Sequence, residues 1–366
     1  MPTSYRQVPD PRAATGRGSD YSLLLLEVRG SGLLARSPRL YARRASANVA
    51  LFAAGAFLLV IVGDSWWQIA VAGYWAIVFA QLGFLGHDAG HQQVFRTRRY
   101  NDRLGLLVAT LGVGLGYSWW IDKHNRHHRR PNEVGSDPDV ARNILAWTPG
   151  QARAQRGALR VIARHQGAVF FPLLLFEAVN LHVGSLRTIR GRRVELVLLG
   201  AHAMIGASVL LLVMTPIRAL VFVAVQQALF GLYLGCSFAP NHKGMAMPVA
   251  GDELDFLRRQ ILTSRNVTGG RLVTVMLGGL NHQIEHHLFP SMPSRNLQRC
   301  QPLVRRYCRE NSLPYAETGL LQSYRLSLQY LNALNPDDGD DPYDSEAGRV
   351  PQVDAEARIG NASVLR

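Results

Sequence analysis

Cysteine is scarce in this 366-residue chain, and lysine is almost absent. The three cysteines, Cys236, Cys300 and Cys308, form no Cys-x-x-Cys pair. So odd and sparse a set does not make a disulfide framework. Two of the thiols lie in an Arg-rich segment, where reduced cysteines on a cytosolic side are expected. Only Lys123 and Lys243 of the 40 basic residues are lysine, and 26 acidic residues leave a formal net charge of +14. The N-terminus lacks an apolar core followed by a small-residue cleavage site. Residues 1–46 are polar and basic apart from residues 23–26, and so read as a basic arm rather than a secretory leader. No internal repeat and no collagen-like or wholly disordered composition is present.

Apolar residues are unevenly distributed. Hydrophobic residues make up 48% of the chain and mean hydropathy is zero, averages that suit a soluble protein. Yet residues 47–63, 65–86, 196–217 and 219–240 carry no charge, with Asp64 and Arg218 as the interruptions. Each window approaches or reaches the ~20 residues that a helix needs to cross ~30 Å of hydrocarbon. The expected fold is an all-α integral membrane protein: four transmembrane helices in two hairpins, with a cytosolic helical cap. The expected division is a basic N-terminal arm (1–46), a membrane domain (47–334) and a disordered acidic tail (335–366). In this arrangement Arg218 alone of the 40 basic residues faces the far side, which puts both termini and the middle loop in the cytosol. Residues 104–121 are also uncharged but contain four glycines. A fifth crossing there would split the basic residues between the two sides, so the segment is expected to be re-entrant or interfacial. Residues 167–180 read as a second interfacial piece. A basic chain with these windows points to lipid rather than nucleic acid.

Nine of the twelve histidines fall in short motifs. His87 and His91 stand at i and i+4. His124, His127 and His128 stand at i, i+3 and i+4. His282, Gln283, His286 and His287 form a third cluster, and His242 follows the fourth window. Residues three or four apart share a helix face, so each motif can aim two or three imidazoles at one point. Neutral imidazole suits zinc, copper, iron and nickel. Eight or nine ligands exceed the need of one four-coordinate zinc, and two metal ions are the economical reading. His165, His182 and His202 stand alone and read as satisfied or surface residues, His202 as a buried polar group with a hydrogen-bond partner. A zinc-dependent membrane hydrolase or receptor remains an alternative, as does a metal transporter. Transporters, however, place ionisable ligands within spans rather than at their ends.

His-Asp-Ala-Gly-His, His-Asn-Arg-His-His and Asn-His-Gln-Ile-Glu-His-His-Leu-Phe-Pro, in this order around a membrane hairpin, resemble the three histidine boxes of the membrane fatty acid desaturases. Pro131-Asn132, Asp137-Pro138-Asp139, Leu262-Thr263-Ser264-Arg265-Asn266 and Gly278-Gly279-Leu280-Asn281 extend the likeness, which covers most of residues 51–293. Gln283 at the head of the third box resembles the front-end and acyl-lipid branch. The resemblance implies a di-iron centre that uses O2 to place a cis double bond in a fatty acyl chain carried on a lipid or on CoA. By position it assigns His87, His91, His124, His127, His128, His286 and His287 as catalytic metal ligands, and adds His242. Gln283 holds the family position at the head of the third box, while His282 is the stronger ligand chemically; both stand as candidates. Asp88, Glu285 and Asp139 are candidates for carboxylates that orient imidazoles. Trp119 and Trp120 suit a membrane interface or an acyl tunnel. Arg126, Arg129, Arg130, Arg258, Arg259 and Arg265 suit an acidic headgroup, a CoA phosphate or an electron carrier, with ordinary positive-inside bias explaining most of them. Relatives often carry a fused haem domain with His-Pro-Gly-Gly. No His-Pro dipeptide occurs here, so a separate donor such as a ferredoxin or flavin reductase is expected. A related lipid hydroxylase, ketolase or conjugase would use nearly the same ligands. The expected location is the plasma membrane of a bacterium.

Overall fold

The computed structural model describes residues 20–337, and helices dominate them. A short helix α1 (Asp20–Gly30) precedes α2 (Pro38–Val62) and α3 (Gln68–Gly90). Helix α2 begins nine residues before its uncharged window. Pro38 occupies the first turn, where a missing N–H costs nothing, and Arg39, Arg43 and Arg44 lengthen the helix without adding to its hydropathy. At the end of α2, the Gln68 amide donates to the carbonyls of Leu59 and Gly63, each at 2.9 Å. The same carbonyls accept from the backbone amides of Gly63 and Ser65, so the Gln68 side chain adds a second donor to each at the helix end.

Residues 98–129 bend sharply. Helix α4 (Arg98–Gly105) runs into a π-helical stretch, Leu106–Val113, and then α5 (Tyr117–Arg129) leaves at 111°. Gly114 sits at φ +81°, in the left-handed region that glycine enters without steric cost. The bend frees backbone groups in apolar surroundings, and side chains take them up. His202 donates to the Leu111 carbonyl at 2.8 Å, and His182 donates to that of Gly114 at 2.9 Å. Ser185 Oγ accepts from the Gly116 amide, and Glu195 caps the start of α5 through the Ser118 amide and hydroxyl. His182 and His202 are thus satisfied structural residues, as their isolation in the sequence suggests.

Next come α6 (Pro149–Arg153), α7 (Ala158–Arg164), α8 (Gln166–Leu174) and α9 (Glu177–Arg187), the last two bent by 67°. Helices α10 (Arg193–Val213) and α11 (Pro216–His242) complete four helices long and apolar enough to cross a membrane. The turn before α11 meets the turn after α2: the Thr215 amide donates to Asp64 Oδ1 at 2.8 Å, and Arg218 pairs with Asp64. Helices α3 and α11 lie together at the centre, burying Val71, Val78, Leu82, Phe84, Phe222, Phe230 and Leu234. Helices α2 and α10 expose Phe57, Val60, Ile61, Val197, Met204 and Leu212. So much open apolar surface suits hydrocarbon rather than water.

The C-terminal part holds α12 (Phe256–Leu262), β1 (Asn266–Thr268), α13 (Gly270–Met276), α14 (Gln283–Leu288), α15 (Ser294–Glu310), β2 (Glu317–Gly319) and α16 (Leu320–Ala333). Strands β1 and β2 pair in parallel, Asn266 against Glu317. These two three-residue strands are a small addition to the helical architecture expected from the sequence, too short for an alternating pattern to register. A second core joins Leu24 and Val28 of α1 to Leu257, Ile261, Ile284, Leu288, Leu297 and Val304. Residues 20–30 of the basic arm are therefore folded against the helices that carry the third histidine motif. Cys300 and Cys308 are free thiols in the same core, and Cys236 is also free. Of the acidic tail, residues beyond Asp337 lie outside the described residues. Asp337 itself pairs with Arg160 and Arg164.

Candidate metal centre

Each histidine motif arrives on a helix end. His87 lies in the last turn of α3, and His91 is its C-cap. His124, His127 and His128 lie on α5, His242 ends α11, and His286 and His287 lie on α14. Helix α14 is set by Asn266, whose Oδ1 accepts the Ile284 amide at 2.9 Å. The turn before it is locked to α3: at Gly278, with φ +63°, a Cβ would stand 2.3 Å from the Phe84 ring. Pro240 interrupts α11 two residues before His242. It has no N–H for the Cys236 carbonyl, which accepts instead from the Tyr324 hydroxyl at 2.6 Å.

Three helix ends and α14 thereby bring the histidines into two adjoining groups. His87, His91, His124 and His286 can offer ligand atoms within 4.8 Å of one another, as can His127, His242 and His287. His128 stands between the groups. Its Nε2 lies 3.0 Å from His124 Nε2, and its ring stacks on that of His287 at 4.2 Å. The Gln283 amide nitrogen is 2.9 Å from His242 Nε2. His282 is in neither group; its Nε2 is 3.3 Å from the Asn281 amide.

The hydrogen bonds behind the rings define their inner faces. His127 Nδ1 donates to Asp137 at 2.8 Å, His242 Nδ1 to the Thr263 carbonyl at 2.8 Å, and His287 Nδ1 to Gln260 Oε1 at 2.8 Å. A carbonyl or carboxylate only accepts, so in a neutral imidazole the proton is on Nδ1 and Nε2 keeps a lone pair. Those Nε2 atoms converge, with His127 and His242 3.3 Å apart. Buried nitrogens of His87 (Nε2), His286 (both) and His287 (Nε2) have no hydrogen-bond partner. Unpaired buried polar atoms are costly, and a metal ion would satisfy one nitrogen of each ring. Burial, followed by neighbouring histidines, holds the imidazoles of His91, His286 and His287 well below the ordinary value. They are neutral at physiological pH, the form that binds metal.

Several side chains take roles that spacing alone does not mark. Asp137, buried, accepts from His127, from the Asn132 amide at 2.7 Å and from the Asp139 amide at 2.9 Å. Its position before Pro138 makes it look like a simple turn residue. Gln260 accepts from His287 and donates to the His128 carbonyl at 3.1 Å, tying the second motif to the third. Asn132 donates to the His242 carbonyl at 3.1 Å. Asp139 lies 3.5 Å from His127 Nδ1 and pairs with Lys123. Asp88 touches His87 Nδ1 at 3.3 Å and pairs with Arg44. Glu285 orients no imidazole: its carboxylate accepts from Asn266 at 2.8 Å and Tyr315 at 2.7 Å, and burial pushes it up to about 7.

Arg265 is also reassigned. It is buried and donates to the carbonyls of Pro240 and Lys243, so it closes the C-terminal end of α11 and is not available to a headgroup or carrier. Arg126 pairs with Asp122, Arg130 and Arg259 with Glu133, and Arg258 with Asp255 and Asp20. Trp120 stacks on His124 with ring centroids 4.5 Å apart and meets His87 edge-on, forming a wall of the centre. Trp119 packs against Gly184.

A sequence model described as fatty acid desaturase matches residues 64–319, and this range holds every one of these histidines. The chain belongs to the fatty acid desaturase family. It is 29% identical to a Delta(6)-fatty-acid desaturase of Caenorhabditis elegans over 86% of this chain and 74% of that protein. It is 31% identical to an acyl-lipid (9-3)-desaturase of Physcomitrium patens over 76% of this chain. There it spans 56% of the relative, little more than half its length. A Delta(8)-fatty-acid desaturase of Euglena gracilis is 28% identical over 89% of this chain and 81% of the relative. These relatives are eukaryotic and lend no support to a bacterial membrane. As a member of a membrane-bound desaturase family with four apolar helices, the chain is a membrane protein.

Proposed function

We propose that this chain is a fatty acyl desaturase that holds two iron ions in its two histidine groups. The observation that carries this reading is the convergence of imidazoles on two adjoining points, those of the His127–His242–His287 group each hydrogen-bonded outward through Nδ1. An acyl methylene has no acidic proton, so general-base chemistry alone does not serve. When bound, a reduced di-iron pair supplies, with O2, the oxidising power that removes two hydrogens from adjacent methylenes. One O2, two electrons and two protons then leave a cis double bond and two waters.

The protein's own part is to bind and orient. Asp137, Gln260 and the Thr263 carbonyl keep the Nδ1 protons outward. Trp120 covers one side of the centre, and burial of His286 and His287 keeps bulk water from the reacting chain. Gln283 completes the His127–His242–His287 group in preference to His282, whose ring lies outside both groups. The four long helices cross the membrane as two hairpins with the histidine ends in the cytosol. Supporting this, Arg218 is the only basic residue among the described residues of the two turns that meet at Asp64. The names of the relatives suggest an acyl lipid as the substrate, with acyl-CoA as the other carrier. Electrons come from a separate donor such as a ferredoxin or flavin reductase. Expression with a matched donor, followed by mass spectrometry of total fatty acids, tests the reaction. A product two mass units lighter, dependent on the donor, is expected. A gain of sixteen units would make the chain a hydroxylase instead.

A further inference from the structure

The two histidine groups differ in how the protein holds them. In the His127–His242–His287 group every ring is fixed from behind by an acceptor on a different segment: Asp137 after α5, the carbonyl of Thr263 after α12, and Gln260 within α12. All three rings are buried. In the His87–His91–His124–His286 group the backing is sparse. His87 has one long contact, 3.3 Å, to Asp88, a carboxylate already paired with Arg44. Neither nitrogen of His286 has a partner. His91 and His124 bond each other through Nε2 atoms 2.8 Å apart. That contact uses a proton on one ring and a lone pair on the other. His124 is also partly open to solvent, unlike the buried His127, His242 and His287.

From this asymmetry we infer that the centre loads in order. The first ion enters the His127–His242–His287 group and the second enters the His87–His91–His124–His286 group. The inference rests on the two-ion reading above. In the first group the lone pairs are already aimed by the bonds behind the rings, and binding asks only that the Gln283 amide, 2.9 Å from His242 Nε2, turn aside. The carboxylate behind His127 also makes that imidazole the more basic donor. A hydrogen-bond partner of this kind is worth about 10–100-fold in metal affinity. In the second group an ion must break the His91–His124 hydrogen bond and order a ring that nothing holds from behind. The same argument makes the second ion the first to leave under a chelator. His128, stacked on His287 and 3.0 Å from His124, connects the two steps.

The test is anaerobic titration of the metal-stripped full chain, in detergent, with Fe2+, followed by calorimetry and by metal analysis after desalting. Two steps of one equivalent each are expected, with dissociation constants roughly 100-fold apart. Asp137→Asn is expected to weaken the tight step by about 10–100-fold and leave the weak step in place. Gln260→Leu, on a different helix, is expected to do the same, so a folding defect in one variant does not decide the matter. His286→Ala is expected to remove only the weak step. A single cooperative uptake of two ions, or loss of the tight step in His286→Ala, overturns the ordering. Uptake of one ion in total by the wild-type chain would refute the two-ion reading itself.

Discussion

Replacing His127 or His286 by alanine is expected to abolish double-bond formation while the protein still inserts in the membrane. One variant removes a ligand from each group. Loss of an orienting partner alone costs about 10–100-fold, so loss of a ligand is expected to cost at least ~100-fold. Neither residue lies on the four long helices or lines their packed faces, so yield in the membrane fraction is expected to stay near wild type. His282→Ala serves as the control, since that ring stands outside both groups. Fatty acid profiles of cells making each variant, normalised to protein in the membrane, supply the measurement. Near-normal product from His127→Ala or His286→Ala would remove that ligand assignment. Loss of product from His282→Ala, equal to that from His286→Ala, would reopen the choice between His282 and Gln283.

Arg265→Met is expected to have the largest effect on stability. The guanidinium donates from two of its nitrogens to the Pro240 carbonyl, at 3.0 and 2.7 Å, and to the Lys243 carbonyl at 2.8 Å. These are helix-end carbonyls next to His242, and the residue is almost fully buried. Methionine fills much of the space but removes the charged donor, leaving the Pro240 carbonyl to the Ser323 hydroxyl at 2.6 Å and the Lys243 carbonyl to the Ser327 hydroxyl at 3.3 Å, at a cost of about 2 kcal/mol. Lysine is expected to rescue poorly, because a single ammonium does not span both carbonyls as a planar fork does. Thermal unfolding in detergent should show a clearly lower midpoint, with metal lost early in the transition because α11 carries His242. An unchanged midpoint would mean that the end of α11 does not depend on this side chain.

The long helices and the histidine groups were legible in the sequence because each rests on a strong local pattern. An uncharged run of twenty residues has few other uses, and imidazoles at three- and four-residue spacing share a face wherever the helix lies. The boundaries were less legible: the first turns of α2 carry arginines and look like a solvated arm, although they continue the helix. The glycines between residues 104 and 121 signalled a bend correctly, but not that His182 and His202, on other helices, would take up its free carbonyls. The same holds at the centre. Asp137 and Gln260 reach their imidazoles across a loop or from another helix, and no spacing rule connects residue 260 to residue 287. Glu285 sits beside the histidines of the third motif in the chain yet turns to Asn266 and Tyr315, because a short helix puts successive side chains on different faces. Arg265 was counted with the surface arginines for the same reason: charge is visible in a sequence, but burial is not.

The chemistry of the centre is set by the kind and number of ions it holds. Elemental analysis of the full chain, purified from iron-replete cells without chelators, measures this directly. About two irons per chain is the predicted result. One zinc per chain, with iron absent, would contradict it.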